Sequence, residues 1–247
     1  MGKIIGILGG MGPDATVEMY KLIIKETQAK TDQDHLHVII NSYPQIPDRT
    51  KALLGEGTHP LPTLITGAQV LEQAGADFIV IPCNTAHAFI PEMQKHLKIP
   101  ILDMILETVK TLHTTFPNIQ KVRLLATTGT IKTQLYHSYL NESHRIITPN
   151  TYEQTIIMDA IYGTEGIKAG YMSLAIKQKL RFVIQALKPR GAEAIILGCT
   201  ELSLVFSSDY EILPLLNPMQ CIASKVVKVA QDTLTPSSES IESISIL

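Results

Sequence analysis

Two cysteines stand out because the sequence leading to them repeats. Residues 69–83 and 185–199 align without a gap, matching on Gln, Leu, Gly, Ala, Ile and finally on Cys83 and Cys199. Each cysteine follows an apolar run of the kind that forms a buried strand. Each precedes a short polar loop, Asn84-Thr85-Ala86-His87 in one case and Thr200-Glu201 in the other. One cysteine after a strand is ordinarily a small buried hydrophobe, but two at equivalent positions of a repeat ask for another reason. Approximate twofold symmetry would set the thiols opposite one another across a cleft. Each loop should run into a helix whose positive N-terminus lowers a thiol pKa. Opposed thiols suit proton exchange at a carbon, where a thiolate removes a proton from one face and the facing thiol delivers one to the other. A disulfide would instead need Cα atoms within about 7 Å, leaving no room for a substrate.

The elements that must position these groups are of one kind. Short apolar runs ending in Gly, Pro or Asn alternate with stretches of helical period, which predicts βαβ units and parallel sheets, an α/β fold. Lys3 to Leu8, His37 to Ile40, Ala76 to Ile81 and Ile99 to Asp103 read as strands; Asp14 to about Lys30, Leu61 to Ala74 and a segment through His113 read as helices. The pattern then restarts. Pro100-Ile101-Leu102-Asp103 pairs with Pro214-Leu215-Leu216-Asn217, and Ile7 to Gly12 pairs loosely with Leu124 to Gly129. Two pseudosymmetric lobes are expected, 1–102 plus 215–247 and 103–214, each a mainly parallel sheet flanked by helices, with ligands held in the cleft beyond the strands' carboxyl ends. The Ser-rich segment Thr235 to Leu247 is expected to be a loosely held tail.

Composition narrows the partner. Of 247 residues, 45% are hydrophobic and 18% charged, enough apolar material for a sizeable core. Lys+Arg 21 against Asp+Glu 23 leaves no basic excess to neutralise phosphates, so nucleic acid and anionic membrane surfaces are poor partners and a small molecule is a good one. No apolar run approaches the ~20 residues of a membrane span. The N-terminus passes directly into a strand without the pattern of a signal peptide, which predicts a cytoplasmic protein. Three cysteines without a CxxC pair predict thiols rather than a disulfide framework or zinc site.

Six short motifs occur in order: Gly9-Gly10-Met11-Gly12-Pro13, Ile46-Pro47-Asp48-Arg49-Thr50, Cys83-Asn84-Thr85-Ala86-His87, Thr127-Thr128-Gly129-Thr130, Glu165-Gly166-Ile167-Lys168 and Gly198-Cys199-Thr200-Glu201-Leu202. Together they resemble the aspartate racemases of the aspartate/glutamate racemase family over nearly the whole chain up to the tail. The resemblance implies interconversion of L- and D-aspartate with no cofactor, catalytic cysteines Cys83 and Cys199 and a homodimer. Glutamate racemases usually carry Asp-Ser-Gly near the first strand end and His after the second Cys-Thr. Here Gly9-Gly10-Met11 and Glu201 stand in those places, which favours the aspartate branch while leaving broad-specificity relatives open. Maleate isomerisation, hydantoin racemisation and a non-catalytic two-lobed dicarboxylate-binding protein are the alternatives.

An amino-dicarboxylate needs two anchors. Arg49 suits a bidentate carboxylate contact, and Lys168 resembles the family's second cationic anchor. The turn from Gly9 to Pro13 presents backbone N–H groups at a helix start, so Met11 and Gly12 are expected to help hold a carboxylate. Asn84, Thr85, Thr128, Thr130 and Thr200 are short donors at matching strand ends and join the expected substrate-binding set, although each could serve as a helix cap. His87 reads as a packed or capping residue, His59 as a loop residue and Cys221 as core; Glu201 could bond near Cys199 or favour the helix start behind it. No lysine is in a Schiff-base context and no histidines cluster at metal-ligand spacing, so neither pyridoxal phosphate nor a metal is implied.

Overall fold

In a computed structural model of the chain, residues 2–140, 144–206 and 213–232 are described; the expected tail lies outside them. Strands β1 (Ile5–Gly9), β2 (Val38–Ser42), β3 (Phe78–Val80) and β4 (Ile101–Leu102) form a parallel sheet in the order β2-β1-β3-β4. A second parallel sheet has the matching order β6-β5-β7-β8, from β5 (Lys121–Ala126), β6 (Arg145–Ile147), β7 (Ala194–Gly198) and β8 (Leu215–Leu216). Of the central strands, β1 and β7 are buried along their length on both faces, which is why they read as unbroken apolar runs. Ile7 pairs with Ile40 and Val80 in one sheet, and Leu124 pairs with Ile196 in the other.

The first sheet is covered by α1 (Pro13–Glu26) on one side and by α2 (Arg49–Leu53), α3 (Leu61–Gln73) and α4 (Ile90–Gln94) towards the other. α1 stops at Glu26, short of Lys30, because Thr27 leaves helical geometry and its hydroxyl donates to the Ile23 carbonyl at 2.7 Å. A separate turn then starts at Thr31, which makes a reciprocal capping box with Asp34. Two more helices link the sheets by exchange. α5 (Met104–Thr115) follows β4 but packs Ile105, Val109 and Leu112 against Val122, Leu124 and Ile196 of the second sheet. The second lobe carries α6 (Thr128–Lys132), α7 (Thr151–Tyr162), α8 (Leu174–Leu187) and α9 (Thr200–Val205); α10 (Pro218–Gln231) then leaves β8 and packs Met219, Ile222 and Val226 against Ile5, Ile7 and Phe78 of the first sheet. Asp103 and Asn217, each capping the helix that follows its strand, occupy the repeat positions pairing those segments.

Leu215 pairs with Ile195 and Leu216 with Ile196, so both belong to the second sheet. The return to the first lobe therefore begins at α10, beyond residue 215 where the sequence suggested it. Among the described residues no helix is long and apolar enough to cross a membrane.

Candidate active site

Both expected cysteines lie just beyond the carboxyl ends of their strands. Cys199 directly follows β7 and stands at the N-cap of α9. Cys83 lies beyond β3 and leads into a 3-10 turn, Asn84–Phe89, which runs directly into α4. His87 holds this turn. Its Nδ1 donates to the Cys83 carbonyl at 2.9 Å, and its Nε2 accepts from the Met104 N–H at 3.1 Å. Burial lowers the His87 pKa, against Asp103 and two backbone carbonyls nearby that raise it, so the ring is neutral and fixes the Cys83 backbone to the start of α5.

The two cysteines, 6% and 5% exposed, open into one void of about 10 Å³, with Arg49, Lys168 and Glu201 also in its wall. That volume is close to a single water's requirement, so an amino acid fits only after the walls part. Outside lies a cavity of about 370 Å³ bounded by Gly10 to Ala15, Pro44 and Leu204; Met11, Arg49, Lys168 and Glu201 border both spaces and form the partition. Gly10 lets the backbone turn here, since its φ of +89° favours glycine and a Cβ would come within 2.4 Å of the Tyr43 carbonyl carbon. Its N–H donates to Thr16 Oγ1 at 2.8 Å, fixing the loop on α1.

The cations hold one another's partners. Arg49 is buried and donates through Nη1 to the Ile46 and Pro47 carbonyls, each at 3.1 Å, and through Nη2 to the Met11 carbonyl at 3.4 Å; its Nε has no partner. Burial opposes its charge, while Cys83, Tyr162 and Asp48 favour it and prevail. Lys168 Nζ donates to the same Met11 carbonyl at 3.2 Å and pairs with Glu201 Oε1. The other Glu201 oxygen, Oε2, accepts from Cys199 Sγ at 3.0 Å and from Thr200 Oγ1 at 3.2 Å. Burial would raise the Glu201 pKa, but Lys168 and the hydrogen bonds hold it below the usual carboxylate range. The Cys199 thiol is pushed well up, first by burial and then by Glu201, against the lowering expected from a helix start.

Other expected donors divide. Asn84 and Thr200 line the void. Asn84 Oδ1 accepts from Tyr136 OH at 2.5 Å, which leaves the Nδ2 group buried and without a partner. Thr85 also lines the void, but its hydroxyl lies 2.9 Å from that of Thr127 and 3.0 Å from that of Thr130, a ring of hydroxyls that joins the lobes. Thr130 is fully buried behind it, and Thr128 turns to α7, where its Oγ1 accepts from Gln154; neither lines the void. Gly12 borders the outer cavity only. Cys221 is on α10. His59 stacks edge-on to Phe89.

The sequence pattern of the Asp/Glu/Hydantoin racemase family matches residues 8–226. The chain belongs to this family. This racemase is 29% identical over 229 residues to the broad specificity amino-acid racemase RacX of Bacillus subtilis, covering 91% of this chain and 96% of that one. Its fold superimposes on Picrophilus torridus aspartate racemase with a TM-score of 0.82 at 30% identity, covering 95% and 96% of the two chains. An aspartate racemase homologue from Pyrococcus horikoshii gives 0.72 at 25% identity, covering 94% and 100%. The protein is thus an amino-acid racemase, an isomerase acting on small amino acids. Tyr136, Tyr162 and Thr127 were absent from the expected site set. Thr127 was visible within its motif, whereas the tyrosines carry no local signal: Tyr136 reaches Asn84 from 52 positions away, and the Tyr162 ring lies 5.6 Å from Lys168 Nζ.

Proposed function

We propose that the racemase interconverts L- and D-aspartate, with Cys83 and Cys199 as the two proton carriers. The observation that carries this is the shared void: two thiols from matched strand ends, one from each lobe, open into one buried space with two cations in its wall. The base sulfur takes the Cα proton, so the C–H bond breaks as an S–H bond forms. The opposing thiol gives its proton to the other face and becomes the thiolate. The two sulfurs exchange roles with each turnover. Arg49, the unpartnered Asn84 Nδ2 and Lys168 offset the charge that builds on the α-carboxylate as the Cα proton leaves. Parting of the Met11–Arg49–Lys168–Glu201 partition admits substrate, and its return excludes water.

Aspartate brings two carboxylates and needs both cations, so Lys168 must leave Glu201 for the substrate. A second reading follows from that pairing: with Lys168 neutralised, Arg49 remains to hold a single carboxylate, which suits neutral amino acids and the broad specificity of the Bacillus relative. Chiral chromatography after incubation with L-Asp, L-Glu and L-Ala, with no cofactor added, decides between them. Aspartate should have the highest kcat/KM; a preference for alanine would move the enzyme to the broad-specificity reading. We further take the working form to be a homodimer, with the exposed row Val17, Tyr20 and Ile24 on α1 as the candidate contact; a monomer in sedimentation would overturn this.

A further inference from the structure

We propose that Glu201 is a catalytic residue that fixes the proton shared by the two thiols on Cys199 in the free enzyme, leaving Cys83, beside Arg49, as the base that acts first. This rests on the two-thiol reading and adds an order to it.

The geometry gives Cys199 an anionic acceptor and gives Cys83 a cation. Glu201 is 4% exposed, with Lys168 on one oxygen and the Cys199 sulfur 3.0 Å from the other. An ionised carboxylate can only accept, so the sulfur must be the donor and carry hydrogen. Thr200 donates to that same oxygen, fixing its direction towards the sulfur. Among the described residues Cys83 Sγ hydrogen-bonds no carboxylate, although Glu201 shares the void; Arg49 and Lys168 stand in the same wall. The remaining titratable groups near the sulfurs do not reverse this difference. Tyr136 and Tyr162 are kept neutral by burial, and neutral His87 bonds the Cys83 backbone. At Cys199 the Lys168 charge and the Glu201 backbone N–H oppose the raising by the Glu201 carboxylate, and Glu201 holds Lys168.

A consequence follows for turnover. When Cys83 takes the Cα proton and Cys199 delivers its own, Cys199 is left as a thiolate facing Glu201, an arrangement of like charges that favours return of the proton. Because enantiomers have equal free energy, kcat/KM must be the same in both directions. The asymmetry can therefore appear only in the separate kcat and KM values.

The test titrates thiolate absorbance in the intact free protein with wild type, Cys83→Ser, Cys199→Ser, Cys83→Ser/Glu201→Gln and Cys83→Ser/Lys168→Met. The first thiolate to form as pH rises should vanish in Cys83→Ser and persist in Cys199→Ser. Glu201→Gln should then move the Cys199 midpoint down by about one to three units, the usual effect of removing a like charge, and Lys168→Met should move it up. A purely structural Glu201 would leave these midpoints in place. The first thiolate vanishing in Cys199→Ser, or a Cys199 midpoint indifferent to both substitutions, overturns the proposal. Where Glu201→Gln fails to fold, the Lys168→Met shift decides. Racemisation by the single cysteine variants, assayed separately, tests the two-thiol reading, so the two failures are distinguishable.

Discussion

The loops after β3 and β7 begin alike and end differently. Both follow a buried parallel strand, both start with cysteine, and both lobes next form a two-residue strand and a helix capped by Asp103 or Asn217. After each cysteine the likeness stops: Asn84 stands opposite Thr200, and Thr85 opposite Glu201. Thr85 sits in a hydroxyl ring with Thr127 and Thr130, whereas Glu201 binds Cys199, Thr200 and Lys168. At the fourth residue, His87 ties its loop to α5, whereas Ser203 has a buried hydroxyl without a partner. The repeated framework brings two sulfurs to one void, and residues that do not obey the repeat make the sulfurs unequal. Symmetry supplies the geometry for handling mirror-image substrates, while charge placement decides where the protons rest.

The largest break in this comparison should come from the sulfurs. Cys83→Ser and Cys199→Ser should each lower racemisation of aspartate by ~10² to 10⁴-fold, the usual contribution of an acid–base group, while Cys221→Ser should be nearly silent. Retention of near-wild-type turnover by either site variant would remove that sulfur from the reaction.

Arg49 comes next. Loss of one charge-assisted contact costs about 1.5 to 3 kcal/mol, or roughly 10- to 150-fold in kcat/KM. Arg49→Ala should show this on aspartate, and Arg49→Lys should recover only part of it because an ammonium lacks the planar two-point contact. Arg49 also satisfies the Ile46, Pro47 and Met11 carbonyls, so Tm must be followed alongside; a lower Tm with unchanged kcat/KM would make Arg49 a scaffold residue.

Tyr136→Phe should have a smaller effect. Without the hydroxyl the Asn84 amide is free to flip, and a neutral hydrogen bond of about 0.5 to 1.5 kcal/mol predicts up to roughly tenfold loss in kcat/KM. Activity equal to wild type would show that Asn84 needs no such hold.

The smallest effect is on stability. The folded pKa of His87 lies below 6.5, so below that pH the unfolded chain binds a proton that the folded chain refuses. Stability is therefore present above about pH 6.5 and falls as pH drops towards the folded value. Melting from about pH 8 to about pH 5 should show this decline, and it should be shallower in His87→Gln. An equally steep decline in that variant would assign it to other groups.

Much of this was legible in the sequence where the signal is local or repeated. Strand ends, the paired cysteines and the α/β alternation are written in runs of apolar residues. Arg49 and Lys168 were reached through motifs, and both border the void. The helix exchange was harder to place: the apolar period of α10 defines a face to bury, but not the sheet that receives it, and the boundary was set in front of β8, which belongs to the second sheet. Thr128 and Thr130 were grouped with the substrate donors because side-chain type was read without direction; one turns to Gln154 and the other into the hydroxyl ring. The role of Glu201 depends on Lys168, 33 positions away, and no local pattern carries that distance.

The claim that two opposed sulfurs share the reaction is tested most directly by racemising L-aspartate in heavy water and analysing each enantiomer at low conversion. Separate carriers on the two faces predict deuterium at Cα of the D-aspartate formed, delivered by the exchanged opposing thiol, while the remaining L-aspartate stays largely unlabelled. Equal labelling of both enantiomers from the outset would mean that one group, or solvent itself, serves both faces, and would contradict the account.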